Sequence, residues 1–145
     1  MQPFKQYFME KTVIGLVEEV TLAGIGKILA KIDSGNGAHN VIHGEEITKQ
    51  GNKILFTTVD GKKVSKDVND TININIGSGH VEERPVVLFR MKFGGKEFDN
   101  IPFSVANRSK NEHKVLIGKD FIKQLDALID VDAENIAHQN IEVQL

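Results

Sequence analysis

The chain has 145 residues, 40% of them hydrophobic and 26% charged, with a formal net charge of −2, which suits one globular domain with a real core and is short for two. So small a charge gives no electrostatic case for nucleic acid or an anionic membrane, and the absence of cysteine removes disulfides, thiolate catalysis and Cys-based zinc sites together. No apolar run approaches the roughly 20 residues of a membrane span and residues 1–11 lack the apolar stretch of a secretion signal, so a cytoplasmic protein is expected.

Residues 1–12 read as an N-terminal tail and 13–145 as a single domain. Runs 13–17 and 18–22 are rich in strand-forming residues, and Gly24-Ile25-Gly26 separates them from a third such run, Ile28-Leu29-Ala30-Lys31-Ile32, which delivers Asp33 onto Ser34-Gly35. Residues 54–59 and 62–64 flank Asp60-Gly61, a dipeptide that supports the primed turn of a hairpin. Thr71-Ile72-Asn73-Ile74-Asn75-Ile76 alternates polar and apolar, as a strand with one buried face does, until Gly77-Ser78-Gly79 breaks it. Strand text resumes over 85–93, turns at Gly94-Gly95, and continues through 96–98 and 101–105, with Pro102 suited to an edge or bulge. Polar residues 107–114 read as a loop and Val115-Leu116-Ile117 as a short buried strand. Phe121, Ile122 and Leu125 at helical spacing predict a helix over 119–125, and two late strands are expected over 127–131 and 140–145. Many short strands with frequent turns and one late helix predict an all-β protein, a closed or nearly closed β-barrel.

Few residues stand out for chemistry. A strand fixes where the Asp33 carboxylate points, the Ser34 hydroxyl can hydrogen-bond across the loop, and Gly35 admits a tight turn. His80, Glu82 and Arg84 alternate along a strand and so share one face. His39 and His43 stand four apart with Glu45 and Glu46 behind them, a metal-ligand spacing if the segment were helical. Asn40, Val41 and the bounding glycines oppose a helix there, and no third ligand follows, so no metal is expected. Gly24-Ile25-Gly26-Lys27 is too short for a phosphate loop, and no cofactor is expected. No serine sits on a nucleophile elbow, and one Tyr, no Trp and eight Phe that read as core leave nothing for bases to stack on.

Three segments in order resemble the retropepsin-like aspartic proteases. Ala30-Lys31-Ile32-Asp33-Ser34-Gly35 is similar to their strand and catalytic Asp-Thr/Ser-Gly, and Val115-Leu116-Ile117-Gly118-Lys119-Asp120-Phe121-Ile122 to the segment before their C-terminal helix. Between them, Ser78-Gly79-His80-Val81-Glu82-Glu83-Arg84-Pro85-Val86 resembles a signature of the bacterial and phage branch labelled "ATP-dependent zinc protease". Gly94-Gly95-Lys96-Glu97-Phe98 and Ala106-Asn107-Arg108 fall where that branch places a Gly-Gly-basic-Glu turn and an Asn/Asp-Arg loop, so the resemblance runs from about residue 13 to about 132. Where the family continues Asp-Thr-Gly-Ala, this chain has Asn36-Gly37-Ala38-His39-Asn40 after Gly35.

The resemblance implies a closed retropepsin-like β-barrel with one short C-terminal helix, and catalysis by two carboxylates that share a proton and activate a water against a peptide carbonyl. Such a pair titrates as a unit. One Asp-Ser-Gly per chain then demands a homodimer with Asp33 from each subunit on the two-fold axis. Ser34 would hydrogen-bond within or across the paired loops, and Gly35 would permit close backbone approach. The Asp60-Gly61 hairpin and the segment through Gly77 and Gly79 are the candidate flaps, and His80, Glu82 and Arg84 would grip a substrate or hold the flap. A peptide or protein substrate is implied, with no nucleic acid and no membrane, and resemblance alone suggests a glutamate-adding ATP-grasp ligase as partner. A non-catalytic peptide-binding or assembly module on the same barrel is the alternative.

Overall fold

The computed structural model describes residues 11–35 and 39–139; residues 1–10 of the expected tail 1–12 and the strand expected at 140–145 lie outside them, and Thr12 opens the first strand. Among the described residues the chain forms β1 (Thr12–Leu22), β2 (Gly26–Ile32), β3 (Asn40–His43), β4 (Glu45–Gln50), β5 (Lys53–Thr57), β6 (Lys63–Asp67), β7 (Asp70–Gly77), β8 (His80–Phe93), β9 (Lys96–Ala106), β10 (Val115–Ile117), α1 (Lys119–Leu125) and β11 (Ala127–Glu134). The protein is therefore mostly β. Among the described residues no helix is long and apolar enough to cross a membrane.

Eight strands form one mixed sheet in the order β11-β1-β2-β10-β3-β9-β8-β7. A further pairing sets Val20, Thr21 and Leu22 of β1 against Phe93, Lys92 and Met91 of β8, so β1, β2, β10, β3, β9 and β8 run in a ring of six. The core lies within it. Phe89 meets Phe103 edge-on at 5.6 Å between ring centres, and Phe121 takes Phe93 at 5.2 Å and Phe98 at 5.1 Å in the same manner, the geometry ring quadrupoles prefer. Helix α1 buries Phe121 and Ile122 against this cluster.

Two runs expected at the N-terminus are one strand. The charged residue that divides them in the sequence, Glu18, is buried, and its carboxylate accepts the backbone N–H groups of Gly15 at 2.7 Å, Ile136 at 3.1 Å and Ala137 at 3.2 Å. A buried carboxylate is tolerable when amide donors replace its water. The late strand is also longer than expected, reaching Glu134 beside β1 in parallel.

Strands β4, β5 and β6 form a separate three-stranded sheet. Asp60 and Gly61 join β5 to β6, both at positive φ as a primed turn requires. Two lysines fasten this sheet to the ring: Lys62 Nζ donates to the Ile25 carbonyl at 2.6 Å, and Lys66 Nζ donates to the Leu88 carbonyl at 2.7 Å while lying over the Phe89 ring.

Candidate active site

Asp33 leaves the end of β2 where β10 runs parallel to it, Ile117 pairing with Ile32. The Asp33 N–H donates to the Ile117 carbonyl at 2.9 Å, which continues the strand pairing into the loop. Its Oδ1 accepts the Gly35 N–H at 3.0 Å, a tight Asx-type turn that aims the carboxylate. Asp33 is half-buried, whereas Ser34 and Gly35 are exposed. Asp33 is thus held once at its backbone and once at its carboxylate, and it remains only half-buried.

Behind the loop stands a residue that the sequence did not single out. Asn40 is buried at the start of β3, its Oδ1 accepting the Gly118 N–H at 2.8 Å and its Nδ2 donating to the Pro102 carbonyl at 2.9 Å. Ser104, also buried, donates its hydroxyl to the Asn40 carbonyl at 3.3 Å. One amide thus ties β3 to β9 and to the turn into α1. At Gly118 a Cβ would run into the His39 backbone carbonyl, so only glycine fits that close approach.

Arg108, in the loop after β9, belongs to the Ala106-Asn107-Arg108 segment that carries part of the family resemblance. Burial and then the neighbouring Arg84 guanidinium hold its pKa below the ordinary arginine range, while Asp33 pulls it back up. Both Arg84 and Asp33 therefore stand close enough to act on the Arg108 charge. The loop around it is built on Lys114, whose ammonium donates to the carbonyls of Arg108 at 2.9 Å, Ser109 at 3.1 Å and Asn111 at 2.7 Å. The Arg108 Nε–H donates to the His113 carbonyl at 2.9 Å.

Arg84 arrives from β8, in the long hairpin with β7. Its Nε donates to Glu82 Oε2 at 2.7 Å. Ile72 and Ile74 of β7 lie opposite Arg84 and Glu82 in the pairing register, so the four share one face of the hairpin. Gly77, Ser78 and Gly79 at its tip all have positive φ, the left-handed region that glycine enters at least cost. His80 is exposed beside that tip. The other candidate flap, at Asp60-Gly61, is placed elsewhere: Lys62 next to it bonds Ile25, at the opposite end of β2 from Asp33, roughly 20 Å away along the strand.

The two histidines four apart are not on a helix. His43 ends strand β3, where all four residues are buried, and His39 lies exposed ahead of it. The His43 Nδ1 lone pair is taken by the Arg108 N–H at 2.8 Å, and its Nε2 faces Glu45 Oε1 at 3.6 Å. Among the described residues no three His, Asp or Glu side chains gather as a metal site. A cavity of about 450 Å³ opens at the far end of the molecule, between Glu19, Lys27, Lys92 and His138, and Asp33 does not line it.

A family model described as RimB-like, retropepsin-like aspartic endopeptidase RimB, matches residues 13–140. Among solved structures, the chain is similar to the crystal structure of Lpg0085 from Legionella pneumophila, a protein described as of unknown function (DUF785). The two are 26% identical with a TM-score of 0.71, over 87% of this chain and 98% of that one. No curated protein matches the sequence.

Proposed function

The chain belongs to the RimB-like family of retropepsin-like aspartic endopeptidases, and on that premise we propose that it hydrolyses peptide bonds with the Asp33 carboxylates of a homodimer. The carrying observation is Asp33 itself, half-buried at a strand end and held at its backbone by the Ile117 carbonyl and at its carboxylate by the Gly35 amide. In this reading the six-strand ring is the retropepsin barrel, and the β7–β8 hairpin, tipped by Gly77 and Gly79, is the flap that excludes water. Two carboxylates brought together cannot both ionise. One holds a proton for the substrate carbonyl, and the other takes a proton from the attacking water. Ser34 braces the paired loops, and Gly35 lets them approach.

Arg108, whose charge feels that of Asp33, and Arg84, whose charge feels that of Arg108, suit a peptide that carries carboxylates around the scissile bond. A glutamate-adding ATP-grasp ligase is the kind of partner that would make such a peptide. The binding-module alternative uses the same arginines without the second carboxylate.

Sedimentation of wild type and Asp33→Asn, with cleavage of a mixed peptide library including acidic members between about pH 4 and 8, decides between them. A dimeric wild type that cuts, with cutting reduced by roughly 10²–10⁴-fold or more in Asp33→Asn, is the expected result. A monomer that binds acidic peptides and leaves them intact would establish the binding module instead.

A further inference from the structure

Nothing in the catalytic reading uses His43, yet it is the most deeply buried ionisable group near Arg108, only 5% exposed. It sits at the end of β3, held between β9 and β10, with its register partner Ala106 two residues before Arg108. Its backbone is fixed on both sides: the His43 N–H donates to the Lys114 carbonyl at 2.8 Å, and its carbonyl accepts the Thr58 hydroxyl at 3.1 Å. From this backbone the imidazole packs into the interior. There its Nδ1 accepts the backbone N–H of Arg108 at 2.8 Å.

That bond settles the tautomer. Nδ1 can accept only while it carries no proton, so the ring proton sits on Nε2, which faces Glu45. Arg108 is then held at three points: its N–H by His43, its carbonyl by Lys114, and its Nε–H by the His113 carbonyl. The first is the one hold among the three made by a side chain that titrates near neutrality.

We propose that His43 is a positioning residue for the Asp33 site, its neutral imidazole anchoring the Arg108 backbone and so setting how the guanidinium stands relative to the charges of Asp33 and Arg84. The inference rests on the reading of Asp33 as the active carboxylate. Protonation of Nδ1 turns the acceptor into a donor facing another donor, and the anchor is lost. The charged groups that face the ring are Glu45 on β4, Lys114 ahead of β10 and Arg108 in the loop after β9. Burial holds the imidazole neutral to below its ordinary value, Glu45 opposes that shift, and Lys114 and Arg108 reinforce it.

The test follows the Arg108 backbone amide, the Arg108 Nε–H and the His43 ring by NMR as pH is lowered from neutral, in wild type, His43→Asn and His43→Leu. Asparagine keeps an acceptor near the Nδ1 position and does not titrate, whereas leucine removes the acceptor. In wild type the Arg108 amide is expected to lose exchange protection with the same midpoint as the ring titration. His43→Leu should exchange that amide at least about tenfold faster at neutral pH, and His43→Asn should restore protection without the acid limb. On a peptide that wild type cleaves, His43→Leu should raise KM more than it lowers kcat, and His43→Asn should recover KM. A ring that titrates while the Arg108 amide and Nε–H stay unmoved overturns the proposal, and needs no folded variant to be seen. A protein that cuts no peptide but shows the coupled titration would instead overturn the Asp33 reading and leave the anchor standing.

Discussion

Asn40 and His43 stand three residues apart and do opposite things with their polar atoms. Asn40, itself buried, offers donor and acceptor to two backbone groups, Pro102 C=O and the buried Gly118 N–H. Removing its amide leaves those groups unpaired, which costs more than the bonds themselves contribute. Asn40→Ala is expected to lose about 2–4 kcal/mol of stability, read as a lower urea midpoint with an unchanged slope. His43 ties stability to pH instead. Its native pKa is depressed, chiefly by burial, below the ordinary 6.5, so the unfolded chain takes up a proton before the folded one does. Its contribution is therefore complete above about pH 6.5 and is lost as pH falls toward the native value. Unfolding curves across that window should show wild type losing stability more steeply than His43→Asn. Neither role was legible in the sequence: the partners of Asn40 lie 62 and 78 positions away, and a histidine beside glutamates reads first as a ligand.

At the scale of elements, legibility followed periodicity. Strand β7 alternates without a fault and the Asp60-Gly61 turn carries its own signature, so both were readable. Strand β3 is four residues buried on every side, and β4 is exposed along nearly its whole length; neither has a period to read. Strand β1 reads in the sequence as two runs, 13–17 and 18–22, that meet at the charged Glu18. Its burial exposes a device joining the first strand to the end of the described chain, since the carboxylate gathers amides from Gly15, Ile136 and Ala137. Glu18→Gln replaces one acceptor oxygen with an NH₂ that faces donors. The expected cost is about 1–3 kcal/mol, with faster hydrogen exchange at the amides of 136 and 137 as the local readout.

Across the whole molecule, composition and turn spacing were enough to give an all-β chain, because a ring of strands around a phenylalanine core needs only apolar residues at alternate positions. They could not show that the charge of Asp33 bears on Arg108, 75 positions away, for that depends on the crossing of β3, β9 and β10. Nor does one chain complete the proposed chemistry, which needs a second Asp33. That dependence has a consequence simple enough to measure. If each site is built from two subunits, an inactive partner spoils the active one it pairs with. Adding an equal amount of Asp33→Asn to a fixed amount of wild type, with time for subunits to exchange, should then reduce cleavage to roughly half, because about half the wild-type subunits now sit in mixed dimers. A larger excess should suppress it further. Activity that stays constant through the titration would place a complete site in each chain, and the second acid would have to be sought among the carboxylates of the same subunit.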